Sequence, residues 1–118
     1  MAARLQAGDA LILVDVQLDF LPGGSLAVSH GDEVVPVLNH YIAVFRRLTL
    51  PVVATRDWHP PDHCSFRAQG GPWPPHCVAG SDGARFAPLL DLPCEARIVS
   101  KATARDRDAY SGVEGTDL

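Results

Sequence analysis

The chain has 118 residues, enough for one modest domain, and its 47% hydrophobic and 20% charged residues are typical of a globular protein. The net charge of -4 and the lack of a long basic run argue against a nucleic acid or an anionic membrane as partner, and no segment is apolar for long enough to span a bilayer. Three cysteines without a CxxC pair argue against a disulfide framework and favour a cytoplasmic location.

The first predicted element is a strand over Asp9–Val16, the apolar run DALILVDV. A continuous run of this kind is typical of a strand that is buried on both faces of a parallel sheet. The polar residues Asp15, Gln17 and Asp19 end it, and Pro22-Gly23-Gly24 marks a loop. The sequence therefore places a polar loop directly after a buried strand.

A helix is predicted next, within residues 31–50, because apolar side chains recur there at helical spacing. Asp32 is expected to cap its N-terminus, and Pro36 is compatible only with the first turn. The predicted apolar face consists of Val34, Val37, Leu38, Tyr41, Ile42, Phe45 and Leu48.

Two further strands are predicted, Leu50–Asp57 and Glu95–Thr103. A strand, a helix and a strand within so short a stretch predict a βαβ unit and hence a parallel sheet. The intervening Trp58–Pro93 is rich in proline and glycine, and only residues 83–92 are expected to hold a helical turn or two. A structureless segment of this length is uncommon unless it is functional.

The predicted fold is α/β, a three-layer Rossmann-like parallel sheet. One long helix cannot cover both faces of such a sheet, so part of its covering is missing. We therefore expect residues 1–118 to be the N-terminal part of a single larger domain that is incomplete at its C-terminus.

Four potential metal ligands follow the second predicted strand within a short distance: Asp57, His59, His63 and His76. In an extended segment Asp57 and His59 point the same way, and the turn at Pro60-Pro61 lets His63 return towards them. One carboxylate and three imidazoles without a thiolate suit a divalent transition ion such as zinc, manganese or iron. The spacing therefore predicts an open metal site.

Two other interpretations stay open for this segment. The histidines can simply be solvated residues of a proline-rich loop. Alternatively, a closed structural zinc site can be formed by His59, His63, Cys64, His76 and Cys77. The lack of CxxC spacing and the aspartate at the strand tip argue against the closed site.

Each predicted strand ends near a charged residue: Asp15, Asp57 and Lys101. Because ligands bind at the carboxyl ends of the strands in open parallel sheets, we expect these three side chains to face one pocket. An aspartate beside a lysine is a common arrangement for a general base. A structural salt bridge at the end of the sheet explains Asp15 and Lys101 equally well from residue type alone.

Together these residues make the sequence resemble the nicotinamidases of the isochorismatase-like hydrolase superfamily. The matching stretches occur in family order and cover nearly the whole chain: ALILVDVQLDFLPGGSLAV, ATRDWHPPDHCSF, GPWPPHCVAGSDGARF and VSKATARDRDAYSGVEGT. The related isochorismatases lack the aspartate and histidine metal set, so the resemblance is to the nicotinamidase branch.

The resemblance implies a metal-dependent amidase that converts nicotinamide to nicotinate and ammonia in NAD salvage, with a close analogue such as pyrazinamide as an alternative substrate. It implies that the metal holds the pyridine nitrogen, that Asp15 is the general base and that Lys101 is its charged neighbour. The implied metal ligands are Asp57, His59, His63 and His76. The implied aromatic walls of the substrate pocket are Phe20, Trp73 and Tyr110. Self-association, common among such proteins, is left open.

The nucleophile of this family is a cysteine in a GxxxDxCV-type motif, which these 118 residues do not contain. Cys64, Cys77 and Cys94 match no catalytic position. The resemblance thus implies a thioester mechanism whose cysteine lies beyond Leu118, so this chain alone is expected to be inactive. Two alternatives are a truncated chain or subunit that binds metal without catalysis, and an isochorismatase-like hydrolase of another substrate.

Overall fold

A computed structural model describes residues 4–118 and contains a three-stranded parallel sheet. Its elements are the strands β1 (Leu11–Val14), β2 (Val52–Asp57) and β3 (Arg97–Lys101), in the sheet order β1-β2-β3, and the helix α1 (Val34–Arg47) between β1 and β2. The predicted parallel α/β sheet is confirmed. Each strand is shorter than predicted.

The first strand is not buried on both faces, as its apolar composition predicted. Leu13 is buried with α1 in the hydrophobic core, whereas Ile12 and Val14 on the other face are 47% and 63% exposed. In the part of the chain that the structure describes, β1 pairs only with β2, and α1 packs against only one of its faces. The apolar run at β1 therefore forms a strand with only one buried face.

The helix α1 faces the core with a stripe that is rotated from the predicted one. Its core-facing residues are Val35, Leu38, Ile42 and Phe45. The predicted face was wrong for Val34, Val37, Tyr41 and Leu48, whose exposed fractions lie between 41% and 53%. Over residues 4–118 no helix has the length and apolar character needed to cross a membrane.

The predicted cap at Asp32 was also wrong. Residues Gly31–Glu33 form a short 3₁₀ turn before α1, and no side chain caps either element. The backbone carbonyls of Gly31 and Asp32 accept the N–H of Val34 instead, so backbone groups of the turn satisfy the first donor of the helix. Pro36 lies in the first turn, as predicted.

The irregular C-terminal segment, residues 103–118, covers the second face of the sheet at β2 and β3 but leaves β1 exposed. Thr55 and Val99 are buried on this face. Gly112 lies directly over Thr55, since a Cβ at position 112 would approach its methyl group to 2.8 Å. An ion pair of 2.7 Å between Arg97 and Asp117 fixes the end of the segment.

The predicted helical turns over residues 83–92 were wrong, apart from a single 3₁₀ turn at Asp82–Ala84. The backbone beyond it pairs with the segment that follows β1: Leu18 N–H donates to the Arg85 carbonyl at 2.9 Å, and Ala87 N–H donates to the Val16 carbonyl at 2.9 Å. These pairings keep the segment extended, and a helix would break them.

Because Leu13 is buried in the core, removing its side chain should destabilise the fold. Leu13→Ala is expected to lower the free energy of unfolding by about 2–5 kcal/mol, because the core of this small sheet cannot collapse around the cavity. Leu89→Ala removes the same atoms from a side chain that is 81% exposed and should change stability by less than about 0.5 kcal/mol. Urea unfolding of the two variants checks this, and equal losses would contradict the assigned core.

Candidate active site

The carboxyl ends of the three strands bring Asp15, Asp57 and Lys101 into contact. Lys101 Nζ lies 2.9 Å from Asp15 Oδ2 and also donates to Asp57 Oδ1. Thr55 Oγ1 donates to the other oxygen of Asp15 at 2.9 Å. The side chain of Lys101 is 2% exposed, so its ammonium group is satisfied by two carboxylates in a site that is nearly closed to water. The three strand ends therefore share one pocket, as the sequence predicted.

The second oxygen of Asp57 faces two imidazoles. Asp57 Oδ2 lies 3.4 Å from His59 Nε2 and 3.8 Å from His76 Nε2, and all three residues are buried. Potential ligand atoms of these residues lie within 4.8 Å of one another. Two atoms bound to a tetrahedral zinc at about 2.0–2.2 Å are roughly 3.3–3.6 Å apart, so the gap between these groups suits a transition ion.

The hydrogen bonds made by the Nδ1 atoms of His59 and His76 determine which nitrogen of each ring is free to bind a metal. His59 Nδ1 lies 3.0 Å from the carbonyl oxygen of Ala102, and His76 Nδ1 lies 2.9 Å from that of Pro74. Because a carbonyl can only accept, both Nδ1 atoms are assigned the proton, and both Nε2 atoms keep a lone pair towards Asp57. Metal-bound histidines are usually oriented by such a partner on the second nitrogen.

His59 Nε2 is a buried polar atom without a hydrogen-bond partner among the described residues. Its 3.4 Å separation from Asp57 Oδ2 is too long for a good hydrogen bond. A buried nitrogen without a hydrogen-bond partner destabilises the folded protein unless a ligand binds it. The donor set of one carboxylate and two neutral imidazoles therefore fits a divalent transition ion.

His63 is close to this triad but is directed elsewhere. Its ring stacks on that of His59 with the centroids 4.2 Å apart. His63 Nδ1 lies 2.7 Å from Ser65 Oγ, and Nε2 lies 2.8 Å from the Arg107 carbonyl oxygen. Of the four predicted ligands, the structure thus brings three together and leaves the fourth adjacent, with both of its nitrogens engaged.

The cysteines take no part in this group. All three are free, and Cys64 and Cys77 both lie outside the triad found among residues 4–118. Burial, with the nearby carboxylates, raises the pKa of the Cys77 thiol, which therefore stays protonated. The closed zinc site that includes these two cysteines is thus not supported by the geometry.

The charges of Asp57 and Lys101 stabilise each other. Burial alone would raise the pKa of Asp57, but the interactions with His59 and Lys101 outweigh it and lower the pKa below its ordinary value. Burial alone would lower the pKa of Lys101, but Asp57 and Asp15 outweigh it and raise this pKa. Both groups are therefore charged near neutral pH, which keeps Asp57 available as a potential ligand.

The two histidines of the triad titrate differently. Burial opposes the charge of His59, but the Asp57 carboxylate and the Ala102 carbonyl outweigh it and raise the pKa of His59. Burial lowers the pKa of His76, against the opposing effect of the Pro74 carbonyl, and the charge of His59 contributes to the lowering. In the metal-free site a proton can therefore reside on His59, while His76 is neutral.

Left-handed backbone conformations occur at three points around the site: Asp15 (φ 54°), Cys77 (φ 48°) and Ala102 (φ 52°). Each costs about 1 kcal/mol or more for a residue other than glycine. Asp15 and Ala102 directly follow β1 and β3, and Cys77 directly follows His76. The strained residues are thus Asp15 itself, the residue whose carbonyl orients His59, and the residue that follows one potential ligand.

Two buried residues that support the triad were not predicted from the sequence. The Gln17 amide donates to the carbonyl of Asp57 at 2.8 Å and accepts the N–H of Asp57 at 2.9 Å, which fixes the backbone of that residue on both sides. Phe66 packs against the rings of His59, His63 and His76, with centroid distances of 5.4–5.7 Å. The sequence marked neither role, because Gln17 was one of several polar residues that end the strand and Phe66 resembled an ordinary loop aromatic.

One pocket of about 370 Å³ contains both the triad and the charged residues of the strand ends. Its lining includes Asp15, Asp57, His59, His76 and Lys101, together with the three predicted aromatic residues Phe20, Trp73 and Tyr110. Trp73 is 44% and Tyr110 is 95% exposed, so these two stand at the mouth rather than in the floor. The ring of Phe20 lies 5.7 Å from that of His76, next to the candidate ion.

Comparison with known proteins gives this site a context. Residues 9–118 match the Isochorismatase domain family. A nicotinamidase/pyrazinamidase from Mycobacterium tuberculosis is 44% identical over 111 residues, covering 92% of this chain and 58% of that protein. A crystal structure of the pyrazinamidase of Pyrococcus horikoshii in complex with zinc is 56% identical with a TM-score of 0.88, covering 92% of this chain and 59% of that one.

A third relative is a crystal structure of PnC1 from L. infantum in complex with nicotinate, which is 45% identical with a TM-score of 0.79. The alignment covers 87% of this chain and 52% of that one. The present chain spans only 55–58% of the length of three curated nicotinamidase relatives. The likeness to the relatives therefore concerns little more than half of each of them.

Loss of one triad imidazole should weaken metal binding. His59→Ala is expected to raise the Kd for Zn²⁺ by more than the roughly 10–100-fold that loss of an outer partner costs, because a direct ligand is removed. His40→Ala, which removes an exposed imidazole on α1, should leave the Kd unchanged. Competition titration against a zinc chelator measures both. Equal affinity of the two variants would contradict the triad.

Zinc affinity should also depend on pH in a defined direction. Metal binds the neutral imidazole, and the raised pKa of His59 means that its proton must be displaced as the pH falls. We expect the apparent affinity to fall from pH 8 to pH 6 and the release of protons to rise towards about one per Zn²⁺. Calorimetry in buffers of different ionisation enthalpy measures this release. Affinity that increased on acidification would contradict the assignment.

Proposed function

The chain belongs to the isochorismatase family, and on that premise we propose that it carries the metal-binding half of a nicotinamidase active site. The proposed reaction is the hydrolysis of nicotinamide to nicotinate and ammonia in NAD salvage. One observation carries the proposal: a buried triad with ion-sized spacing and a carboxylate–lysine pair line the same small pocket. The likeness to three curated nicotinamidases, at 39–44% identity, supports it.

The proposed ligands are Asp57, His59 and His76, with His63 as a fourth. His63 is included because its ring is stacked on His59, although it must exchange one of its hydrogen bonds, to Ser65 or Arg107, for the ion. The donor set suits zinc, and manganese or iron are alternatives. When bound, the ion supplies a Lewis acid that holds the pyridine nitrogen of the substrate.

In this proposal Asp15 is the general base and acid. It takes the proton from a cysteine thiol that we place in the part of the protein beyond Leu118. The sulfur bonds to the amide carbon, the C–N bond breaks, and the proton passes to the departing ammonia. Water then cleaves the thioester with Asp15 again as base, which releases nicotinate and restores the thiol. Lys101, 2.9 Å away, balances the charge of Asp15 throughout.

The aromatic residues of the pocket are the proposed contacts of the pyridine ring. Phe20 is next to His76, so it can cover one face of a ring whose nitrogen is directed to the ion. Trp73 and Tyr110 at the mouth can enclose the ring from outside. Nicotinamide and pyrazinamide both present a flat ring with a suitably placed nitrogen, and the same walls suit either.

We also propose that this reaction takes place in the cytoplasm. Cys64, Cys77 and Cys94 are all free, and Cys77 is buried without a disulfide partner among the described residues. Unpaired cysteines are typical of a reducing compartment. The partner is a small molecule, and the acidic balance of the chain is consistent with this.

The role of Asp15 can be tested in the full-length protein. Asp15→Asn is expected to lower kcat/KM for ammonia release from nicotinamide by about 10²–10⁴-fold, because the proton acceptor is lost. The Kd for Zn²⁺ should change little, since Asp15 is not a proposed ligand. Asp32→Asn, an isosteric change at an exposed site, is the matched control.

Three outcomes would separate the parts of this proposal. Full activity of Asp15→Asn would remove Asp15 from the mechanism. Activity that survives complete metal removal by a chelator would remove the metal from it. A purified wild-type protein that binds Zn²⁺ but releases no ammonia from nicotinamide would favour the alternatives, namely a binding protein or a hydrolase of another substrate.

A further inference from the structure

We propose that Asp19 is a positioning residue for the metal centre: its carboxylate holds the peptide that follows His76 and so aims this imidazole at the ion. Asp19 lies in the turn after β1 and is not one of the potential ligands. The inference rests on the metal site proposed above, and it assigns a role to a charged residue that the mechanism does not use.

The contact is a single hydrogen bond to a strained residue. Asp19 Oδ2 accepts the backbone N–H of Cys77 at 2.8 Å. Cys77 is completely buried and has a φ of 48°. Its N–H belongs to the peptide bond that joins it to His76, so the hydrogen bond orients that peptide. A buried N–H has no water as an alternative partner, and the left-handed conformation therefore depends on Asp19.

Further contacts hold the loop of His76 against the segment of Asp19. Ser25 Oγ donates to the carbonyl of Pro75 at 2.8 Å. Ser25 N–H lies 3.4 Å from Asp19 Oδ1, which brings the two clamping residues together. On the other side of the ring, His76 Nδ1 bonds to the Pro74 carbonyl. The direction of Nε2 is thus fixed from both sides of the residue.

Gly83 leaves room for the carboxylate of Asp19, because glycine has no side chain. A Cβ built at this position would lie 2.1 Å from Asp19 Oδ2 and 2.4 Å from its other oxygen. Any side chain at position 83 must therefore push the carboxylate away from Cys77. Gly83→Ala disrupts the clamp without changing Asp19, Cys77 or a ligand, and this offers an independent way to test the role.

The experiment uses Co²⁺ as the probe in the metal-free, full-length protein. Asp19→Ala and Gly83→Ala are each expected to raise the Kd for Co²⁺ by about 10–100-fold, the usual effect of losing an outer partner of a ligand. The visible absorption bands of bound Co²⁺ should also change in both variants, because His76 is no longer held in the direction of the ion. Asp19→Asn keeps an acceptor oxygen and should lose less affinity than Asp19→Ala. Asp82→Ala, an exposed change in the same turn as Gly83, should bind like wild type.

The double variant Asp19→Ala/Gly83→Ala makes the test specific. With the carboxylate absent, the added methyl group has nothing to displace, so the double variant should bind Co²⁺ no more weakly than Asp19→Ala. If the Kd of the double variant for Co²⁺ rose by the product of the two single effects, the proposed coupling between Asp19 and Gly83 would be contradicted. If Asp19→Ala fails to fold, Gly83→Ala and Asp19→Asn carry the test by themselves.

The remaining outcomes are also decisive. Wild-type binding and spectra in both Asp19→Ala and Gly83→Ala would overturn the role of Asp19. So would a loss that only follows the folded fraction, measured by circular dichroism, while the bound spectrum stays unchanged. A wild-type protein that binds no Co²⁺ would instead remove the proposed metal site itself.

Discussion

The carboxylate of Asp57 is the interaction on which the site depends, because its two oxygens serve different partners. Oδ1 accepts from the ammonium of Lys101, and Oδ2 faces the free nitrogens of His59 and His76. The Asp57 carboxylate thus joins the proposed metal site to the Lys101–Asp15 pair. Loss of the Asp57 carboxylate would leave the buried Lys101 with Asp15 as its single counter-ion and the two imidazoles with no anionic neighbour, so both halves of the site would be weakened.

The arrangement is held by a rigid strand end and by loops fastened to it. Strand pairing aligns Asp57 with Lys101, and Gln17 secures the backbone of Asp57 from the segment that follows β1. The loops have almost no regular structure, but their backbone is tied at defined points: His59 N–H donates to the Cys77 carbonyl at 2.9 Å, and Ala79 N–H donates to the His59 carbonyl at 2.7 Å. Such ties give a loop the precision that a functional site needs.

The sequence predicted the parts of the site that follow from local geometry. Parallel strands have their carboxyl ends at one edge, which is why Asp15, Asp57 and Lys101 were expected to meet. Alternation along an extended segment predicted that Asp57 and His59 would share a side. Gln17 and Asp19 could not be assigned in this way, because their partners lie 40 and 58 residues further along the chain. The face of α1 was ambiguous because apolar residues occur on more than one side of it.

The most direct test of the proposed metal site is anomalous X-ray scattering at the zinc edge from crystals of the full-length protein grown with Zn²⁺. An ion held by the triad would give one strong peak at about 2.0–2.2 Å from Asp57 Oδ2, His59 Nε2 and His76 Nε2. A crystal in which the peak lay on Cys64 and Cys77, or in which this gap held no metal at saturating Zn²⁺, would contradict it.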